Sequence, residues 1–264
     1  MPEPNDQKLI PTLFNLAHSQ AFRVIWALEE LSAVHGTKYH LKNFARTSGA
    51  PIPELKAAHR LGKSPIMTLE TTDGSPPPTI QLEPGVLSES RMILRWLSEE
   101  FGQGMWDPEP SDVRRNEFLE DFAVSTLAPK ATFPMLFEII PGAYPFPLSY
   151  ILPFLFKPVK NWFIGDLRDV YQLLEDALSD EKPWFAGKKI GLSDFNMTWG
   201  MEMCDQRGYF EEKKRWPRLA GWLERVRGRE AYKRAHELGC GYDLKYFGVK
   251  GADVRSIMDS TKQE

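Results

Sequence analysis

The chain has 264 residues, enough for one large domain or two modest ones. Its 33 Lys and Arg side chains against 36 Asp and Glu give a net charge of -3, so it lacks the basic field that attracts nucleic-acid phosphates. We therefore expect no nucleic-acid partner. The two cysteines, Cys204 and Cys240, have a spacing that fits neither a zinc site nor a disulfide framework. We expect no metal and a reducing compartment.

The N-terminal residues are polar and contain prolines, without the basic and apolar segments of a secretory leader, so a cytoplasmic protein is expected. The longest uncharged stretch, residues 139–156, contains four prolines. Prolines remove backbone hydrogen bonds from a helix, and lipid offers no partners to replace them. We therefore predict a buried, bent connection between helices here and no membrane span. Its aromatic side chains leave open a contact with an apolar ligand or with a membrane surface.

The N-terminal part of the sequence predicts alternating strands and helices. Residues 8–16 form a short apolar run typical of a strand, and residues 20–34 carry apolar side chains at the three-to-four spacing of an amphipathic helix. Residues 37–44 alternate as a half-buried strand does. A helical crossover between the two strands would make them parallel, which predicts a βαβ unit.

A second helix is predicted over residues 53–61, which begin with a proline that suits a first helical turn. Residues 64–70 indicate a strand entered through a proline. The turn at residues 73–78 is rich in proline, and residues 79–82 are predicted to be a short antiparallel partner strand beyond it. This order extends the βαβ unit by one helix and one hairpin.

Ser88 is predicted to cap a helix that runs to about residue 101. Residues 103–110 are rich in glycine and proline and are predicted to be a linker. No strand is predicted beyond it, and helices are expected near residues 111–127, 167–178, 193–208, 216–227 and 230–238. We therefore predict an N-terminal α/β domain over residues 1–102 and an all-helical domain over residues 111–264.

Three short motifs give this order of elements a more specific meaning. HSQAFR at residues 18–23 follows the first strand, GKSP at 62–65 precedes the third, and LSES at 87–90 opens the next helix. In this order and spacing they resemble the cytosolic glutathione S-transferase family, and within it the serine-type members of the fungal branch, to which PFPLSY at 145–150 also points. The resemblance implies an α/β thioredoxin-like N-terminal domain (βαβ-α-ββ-α) followed by an all-α C-terminal domain.

One position departs from the family pattern. The family usually places Ser or Thr, as a helix cap, three residues before the aspartate that corresponds to Asp194, which the resemblance makes a structural residue. This sequence has Gly191 there, so Ser193 or Asp194 itself must supply the cap. Because glycine is tolerated at an N-cap, we expect a slightly different helix start and an unchanged fold.

The resemblance implies that Ser19 is the catalytic residue. Its hydroxyl would donate a hydrogen bond to the glutathione sulfur, where the first helix adds positive partial charge. Lowering the pKa of a thiol from ~8.5 by about two units needs roughly 2.7 kcal/mol of thiolate stabilisation. A hydrogen bond to a charged group contributes roughly 1.5–3 kcal/mol, and a helix terminus about 0.3–1 kcal/mol. An ordinary helix cap is the alternative role for Ser19.

The other candidate binding residues also follow from the resemblance. The Ser64–Pro65 peptide bond is expected to be cis, which would turn the Ser64 backbone toward the cysteinyl residue of glutathione and leave its side chain idle. Lys63 would meet the glycine carboxylate. In the first turn of the next helix, Ser90 would bind the γ-glutamyl carboxylate and Glu89 would face the ammonium group. Surface or dipole-compensating roles remain the alternatives for Lys63 and Glu89.

Two further groups of residues are predicted to support the site. Arg23, one turn along the first helix, is expected to be structural and to pair with an acidic group nearby. His18 and Asn15 are candidates either for supporting donors or for plain loop residues. The electrophile is expected to meet apolar walls from Phe14, Leu16, the helix near residues 118–127 and residues 141–156.

The leading functional prediction is a transferase that uses glutathione as co-substrate and attacks a hydrophobic electrophile, by conjugation or peroxide reduction, as in detoxification. A glutathione-dependent double-bond isomerase or a tailoring enzyme of secondary metabolism is an alternative. A non-catalytic glutathione-binding carrier is an alternative of another class. Cysteine-type thiol transfer is disfavoured because neither cysteine follows the first strand. The resemblance also implies a homodimer.

Overall fold

A computed structural model describes residues 7–46, 52–245 and 247. Its internal contacts divide the chain into two compact units. Among the described residues, the first unit contains 7–46, 52–105 and 228–242, and the second contains 106–227, 243–245 and 247. The outer limits of the predicted domains, residues 1 and 264, lie outside the described residues.

The first unit is a four-stranded sheet with helices. Its strands are β1 (Leu9–Leu16), β2 (His40–Phe44), β3 (Ile66–Thr71) and β4 (Val86–Ser88), in the order β2-β1-β3-β4. β1 is parallel to β2 and antiparallel to β3, which is antiparallel to β4. Helices α1 (Phe22–His35), α2 (Pro53–Ala58) and α3 (Ser90–Phe101) alternate with the strands. The predicted fold class of this half is confirmed.

A late helix, α9 (Glu230–Leu238), packs against α1, and two arginines at its start and within it pair with buried carboxylates of α1. Arg229 donates to both carboxylate oxygens of Glu30 at 2.5 and 2.8 Å, and Arg234 donates to Glu29 at 2.7 Å. Both glutamates are over 90% buried, and buried carboxylates need such partners. These pairs explain why residues 228–242 group with the first unit. The predicted linker between the two domains, residues 103–110, stays a prediction.

The second strand of the predicted hairpin lies further along the chain than expected. The prediction of a strand over residues 79–82 is wrong, because Thr79 makes an isolated bridge to Pro84 while β3 pairs with β4. The prolines around this segment lack the N–H group that a ladder requires. The Gln81 side chain instead accepts from the Ser88 N–H at 2.9 Å and donates to its carbonyl at 3.1 Å.

The start of α3 also differs from the prediction. Ser88 belongs to β4 and does not cap the helix, which begins at Ser90 with Glu89 at the N-cap position. Glu89 has φ 65° and ψ 107°, a conformation that non-glycine residues rarely adopt. The chain therefore turns sharply from strand to helix at Glu89, and this turn sets the position of the first helical residue.

Among the residues that the structure describes, the second unit has helices joined by loops and no strand. It contains α4 (Val113–Phe122), α5 (Ala128–Ile139), α6 (Leu148–Asp176), α7 (Leu192–Gln206) and α8 (Pro217–Arg227). A π-helical turn, Ala123–Leu127, joins α4 to α5, so the helix predicted over residues 111–127 continues beyond its expected end. At Gly200 of α7 a Cβ atom would lie 2.6 Å from the Leu127 side chain, so the glycine permits this close approach. The all-helical prediction is confirmed.

The proline-rich segment at residues 139–156 is not buried, so that prediction is wrong. It contains the end of α5, a 3-10 turn at Ile140–Ala143 and the first turns of α6. Phe146 and Phe154 are 80% and 78% exposed. The first turns of α6 contact α5, where Phe137 meets Phe156, and they also carry exposed apolar side chains such as Tyr150 and Phe154. No helix in the described part of the chain is long and apolar enough to cross a membrane.

Asp194, in the first turn of α7, is fully buried and ties three segments together. Its carboxylate accepts from the backbone N–H groups of Phe185 at 2.9 Å, Gly191 at 3.0 Å and Ala186 at 3.3 Å, and from Trp222 Nε1 at 2.8 Å. Burial raises the pKa of Asp194 to about 6, and the four hydrogen bonds oppose that shift. Asp194 thus joins α7 to α8 and to the preceding loop.

The glycine that departs from the family pattern has a steric explanation. Gly191 is the N-cap of α7, and a Cβ atom there would lie 2.4 Å from the Ala186 Cβ and 3.0 Å from the Trp106 carbonyl oxygen. Asp194 accepts the Gly191 N–H, so of the two expected alternatives Asp194 supplies the capping contact. The N–H of Ser193 donates to Asn116 Oδ1. A serine side chain at position 191 would have no room.

Gly191→Ser should lower the free energy of unfolding by about 1–3 kcal/mol, because the added atoms overpack a filled site. Chemical denaturation of both proteins measures the difference. Gly165→Ser is the matched control, since Gly165 is exposed on α6 and a Cβ there meets no atom within 4 Å. The control should be neutral or slightly stabilising. Equal losses in the two variants would contradict the packing argument.

Asp194→Asn should cost about 2 kcal/mol or more of stability, because an amide N–H2 group would face N–H donors. The folded state holds the pKa of Asp194 above its ordinary value of 3.8. The stability that this group contributes is therefore full below pH about 4 and falls as pH rises through about 6. Urea denaturation at several pH values should show the difference between wild type and variant shrinking over this window. A difference that grows with pH would contradict a raised pKa.

Candidate active site

A cleft of about 200 Å³ lies in the first unit. Its walls come from segments that are far apart in sequence: Gln20, His59, Leu61, Lys63, Ser64, Pro65, Ser88, Glu89 and Ser90. The fold therefore brings the four predicted binding residues, Lys63, Ser64, Glu89 and Ser90, around one space. Lys63 and Glu89 are exposed, whereas Ser90 is buried.

Ser19 lies in the turn between β1 and α1 and is only 6% exposed. Its Oγ accepts a hydrogen bond from the Ala21 N–H at 3.2 Å. The same Oγ lies 3.4 Å from Ser64 Oγ, which places Ser19 directly beside a residue of the cleft. The turn thus holds the Ser19 oxygen as an acceptor and leaves its proton for another partner.

The Ser64 side chain is not idle, contrary to expectation. Its hydroxyl donates to the Phe14 carbonyl at 2.9 Å and accepts from the Leu16 N–H at 3.0 Å, which fixes it to the end of β1. The following Ser64–Pro65 bond is cis. Because a hydroxyl has one proton and Ser64 gives its proton to a carbonyl, Ser19 must be the donor in the contact between the two serines.

The contact between Ser19 and Ser64 is long for a hydrogen bond between hydroxyls. Such bonds usually measure about 2.5–3.0 Å, and this one measures 3.4 Å. The Ser19 proton is therefore weakly held by Ser64. A stronger acceptor beside it, such as a sulfur anion, would compete well for that proton.

Arg23 connects the first turn of α1 to the first turn of α3. It is 3% exposed, and its Nη2 donates to Gln20 Oε1 at 2.5 Å and to Ser90 Oγ. Burial lowers the pKa of Arg23 to about 10, and the charge of Glu89 opposes this shift, so the guanidinium stays protonated at neutral pH. These two hydrogen bonds go to neutral side chains, and Glu89 is an acidic group close enough for its charge to act on Arg23.

Two residues at the edges of this region have unusual backbone conformations. His18 has φ 56° and Glu89 has φ 65°. The His18 N–H donates to the Gly241 carbonyl at 2.9 Å, and Glu89 provides the turn into α3. A positive φ at a non-glycine residue costs free energy, and such residues are frequent at functional sites. At both positions the surrounding structure must therefore maintain an unfavourable backbone conformation.

Four cleft residues were not among the predicted site residues: Gln20, His59, Leu61 and Ser88. Gln20 lies inside the HSQAFR motif, which was the available signal, but its contact with Ser90 spans 70 positions in sequence. Asn15, a candidate supporting donor, donates to Asn43 Oδ1 at 2.9 Å. The described residues contain no group of three or more His, Cys, Asp or Glu side chains that could hold a metal ion.

The sheet order, the cis proline before β3 and the helical second unit define a class of protein: a thioredoxin-like domain joined to an all-helical one. Solved structures share this fold. The glutathione transferase URE2P8 from Phanerochaete chrysosporium, crystallised with oxidized glutathione, matches with a TM-score of 0.63 at 18% identity over 89% of this chain and 96% of its own. A glutathione S-transferase from Actinobacillus pleuropneumoniae matches with a TM-score of 0.63 at 21% identity and the same coverage.

Sequence comparisons point to the same family. Residues 156–230 match the family model described as the C-terminal domain of glutathione S-transferase. Glutathione S-transferase 1 from Saccharomyces cerevisiae is 24% identical over 228 residues, 84% of this chain and 92% of that protein. Glutathione S-transferase 3 from Schizosaccharomyces pombe is 25% identical over 238 residues, 85% and 86% of the two chains. These similarities support the glutathione S-transferase family and a transferase of that type.

Ser64→Ala should lower the free energy of unfolding by about 1 kcal/mol, because it leaves a carbonyl and an N–H at the end of β1 without their partner. Thermal or chemical denaturation measures this loss. Ser64→Thr keeps a hydroxyl and should retain most of the stability. If Ser64→Ala were as stable as wild type, the contact with β1 would contribute nothing.

Proposed function

We propose that this chain is a glutathione transferase in which Ser19 stabilises the glutathione thiolate for attack on a hydrophobic electrophile. The observation that carries the proposal is the position of the Ser19 hydroxyl, 3.4 Å from Ser64 Oγ at the edge of the cleft. Glutathione would lie in that cleft with its sulfur next to Ser19. Both conjugation and peroxide reduction require the same thiolate.

The charges and polar groups of the cleft match the ends of the tripeptide. Lys63 would meet the glycine carboxylate at one end. At the other end Glu89 would face the γ-glutamyl ammonium, and the N–H groups of the first turn of α3, beginning at Ser90, would receive the carboxylate. The Ser64 backbone, which belongs to the same cleft, would pair with the cysteinyl residue.

The hydrogen bonds of Ser19 support thiolate formation. Its oxygen already accepts from the Ala21 N–H, which polarises the hydroxyl, and its proton is weakly held. Turning that proton to the sulfur anion would contribute roughly 1.5–3 kcal/mol, and the start of α1 about 0.3–1 kcal/mol more. The sum matches the roughly 2.7 kcal/mol that a two-unit fall in the thiol pKa requires.

The resemblance of the motifs to serine-type enzymes of the fungal branch extends this proposal. We infer a cytoplasmic homodimer that acts in detoxification or in secondary metabolism. Dimer formation would be seen as twice the monomer mass of 30.3 kDa in light scattering. A stable monomer would contradict this part of the proposal and leave the thiolate chemistry untouched.

Ser19→Ala should raise the pKa of enzyme-bound glutathione by about one to two units, since the donor to the sulfur is lost. The conjugation rate with an aryl halide at neutral pH should fall about 10- to 100-fold, while the Kd for glutathione changes little. Ultraviolet titration of the bound thiolate measures the pKa directly.

Ser19→Thr is the matched control, because it keeps a hydroxyl at the same position. It should retain a lowered thiol pKa and most of the activity. A bound thiol that titrates identically in wild type and Ser19→Ala would contradict the catalytic role. Tight glutathione binding with no thiolate signal and no conjugation in the wild type would favour the carrier.

A further inference from the structure

We propose that Gln20 is a glutathione-binding residue whose side-chain amide donates a hydrogen bond to the γ-glutamyl α-carboxylate. This inference rests on the proposed function, since it assigns a contact within the same cleft. Gln20 lines that cleft together with Glu89 and Ser90, and its side chain is half-buried. Gln20 is not one of the residues that the sequence motifs predicted to bind glutathione.

The orientation of the Gln20 amide is fixed by its neighbours. A guanidinium group carries only donors, so the amide atom 2.5 Å from Arg23 Nη2 must be the oxygen. The same oxygen, Oε1, lies 3.2 Å from Ser90 Oγ. With its oxygen held by two side chains in the wall, Gln20 has its Nε2 group left as a pair of donors for a ligand.

The positions of the protons in this network disfavour the Ser90 hydroxyl as the donor to the α-carboxylate. The Ser90 oxygen accepts from Arg23, and its single proton points to Gln20 Oε1. Ser90 would have to give up that hydrogen bond before its hydroxyl could donate to a carboxylate. Gln20 Nε2 can donate without breaking the network, so the amide is the better donor and Ser90 is one of the groups that orient it.

The chemistry of the ligand selects the α-carboxylate as the acceptor. An N–H donor cannot bind an ammonium group, so Gln20 suits the carboxylate and Glu89 suits the ammonium of the same γ-glutamyl end. The buried positive charge of Arg23 lies behind the amide and adds a favourable field for an anion. Lys63 remains for the glycine carboxylate at the other end.

Gln20→Glu tests the inference with minimal change in shape. A carboxylate at this position keeps the acceptor for Arg23 and Ser90, so thermal stability should be equal to wild type or higher. It removes the N–H donors and places a negative charge beside the ligand carboxylate. The Kd for glutathione by calorimetry should rise at least about 10-fold, as for loss of a hydrogen bond to a charged group.

Two glutathione analogues locate the contact. γ-Aminobutyryl-cysteinyl-glycine lacks the α-carboxylate, and its Kd should be nearly the same for wild type and Gln20→Glu. Glutathione esterified at the glycine carboxylate keeps the α-carboxylate and should show the full loss. The side chain in Gln20→Met has no N–H donor, so this variant should show the same dependence on the analogue. It replaces Gln20→Glu in the test if that variant does not fold.

The outcomes separate this inference from the proposed function. An equal Kd for glutathione in wild type and Gln20→Glu, or an equal loss with all three ligands, would overturn the role of Gln20 while the transferase proposal stands. A wild type that binds no glutathione would overturn the proposed function and this inference with it. A loss confined to ligands that carry the α-carboxylate would support the inference.

Discussion

The arrangement of the candidate site depends on where one hydroxyl proton goes. Ser64 gives its proton to the Phe14 carbonyl, and its oxygen is held by the Leu16 N–H. That arrangement leaves Ser19 as the donor in a contact of 3.4 Å, which is too long to hold its proton strongly. The end of β1 thus keeps Ser64 occupied. In the proposed reaction, Ser19 turns this weakly held proton to the sulfur and favours the thiolate. The contacts of Ser64 with β1 therefore bear directly on the chemistry of Ser19.

Buried polar networks position the rest of the site. Arg23 links α1 to α3 through Gln20 and Ser90, and the pairs of Arg229 and Arg234 with acidic residues of α1 hold α9 on the same helix. A buried charge is costly unless its partners are present, so these contacts hold α1 in one position. In the second unit, Asp194 does the same for α7 and α8 with four hydrogen bonds. Gly191 leaves the space that this arrangement needs.

Much of the fold was predictable because local patterns determine it. β1 and α1 begin within two residues of their predicted starts, and Ser64, Glu89 and Ser90, which come from two of the three motifs, line one cleft. The predictions from sequence were wrong where tertiary contacts determine the position of a strand or the exposure of a side chain. Prolines displaced the last strand to Val86, and the uncharged first turns of α6 gave no sign that Phe154 is exposed. The position of Gln20 beside Ser90 joins residues 70 apart, which no local pattern reveals.

A crystal structure of the protein with reduced glutathione would show whether Ser19 donates its proton to the sulfur. The sulfur should lie within hydrogen-bonding distance of Ser19 Oγ, with Ser64 Oγ still bonded to the Phe14 carbonyl. A sulfur beyond the reach of Ser19, or a Ser64 hydroxyl turned from the carbonyl to the sulfur, would contradict this role of Ser19.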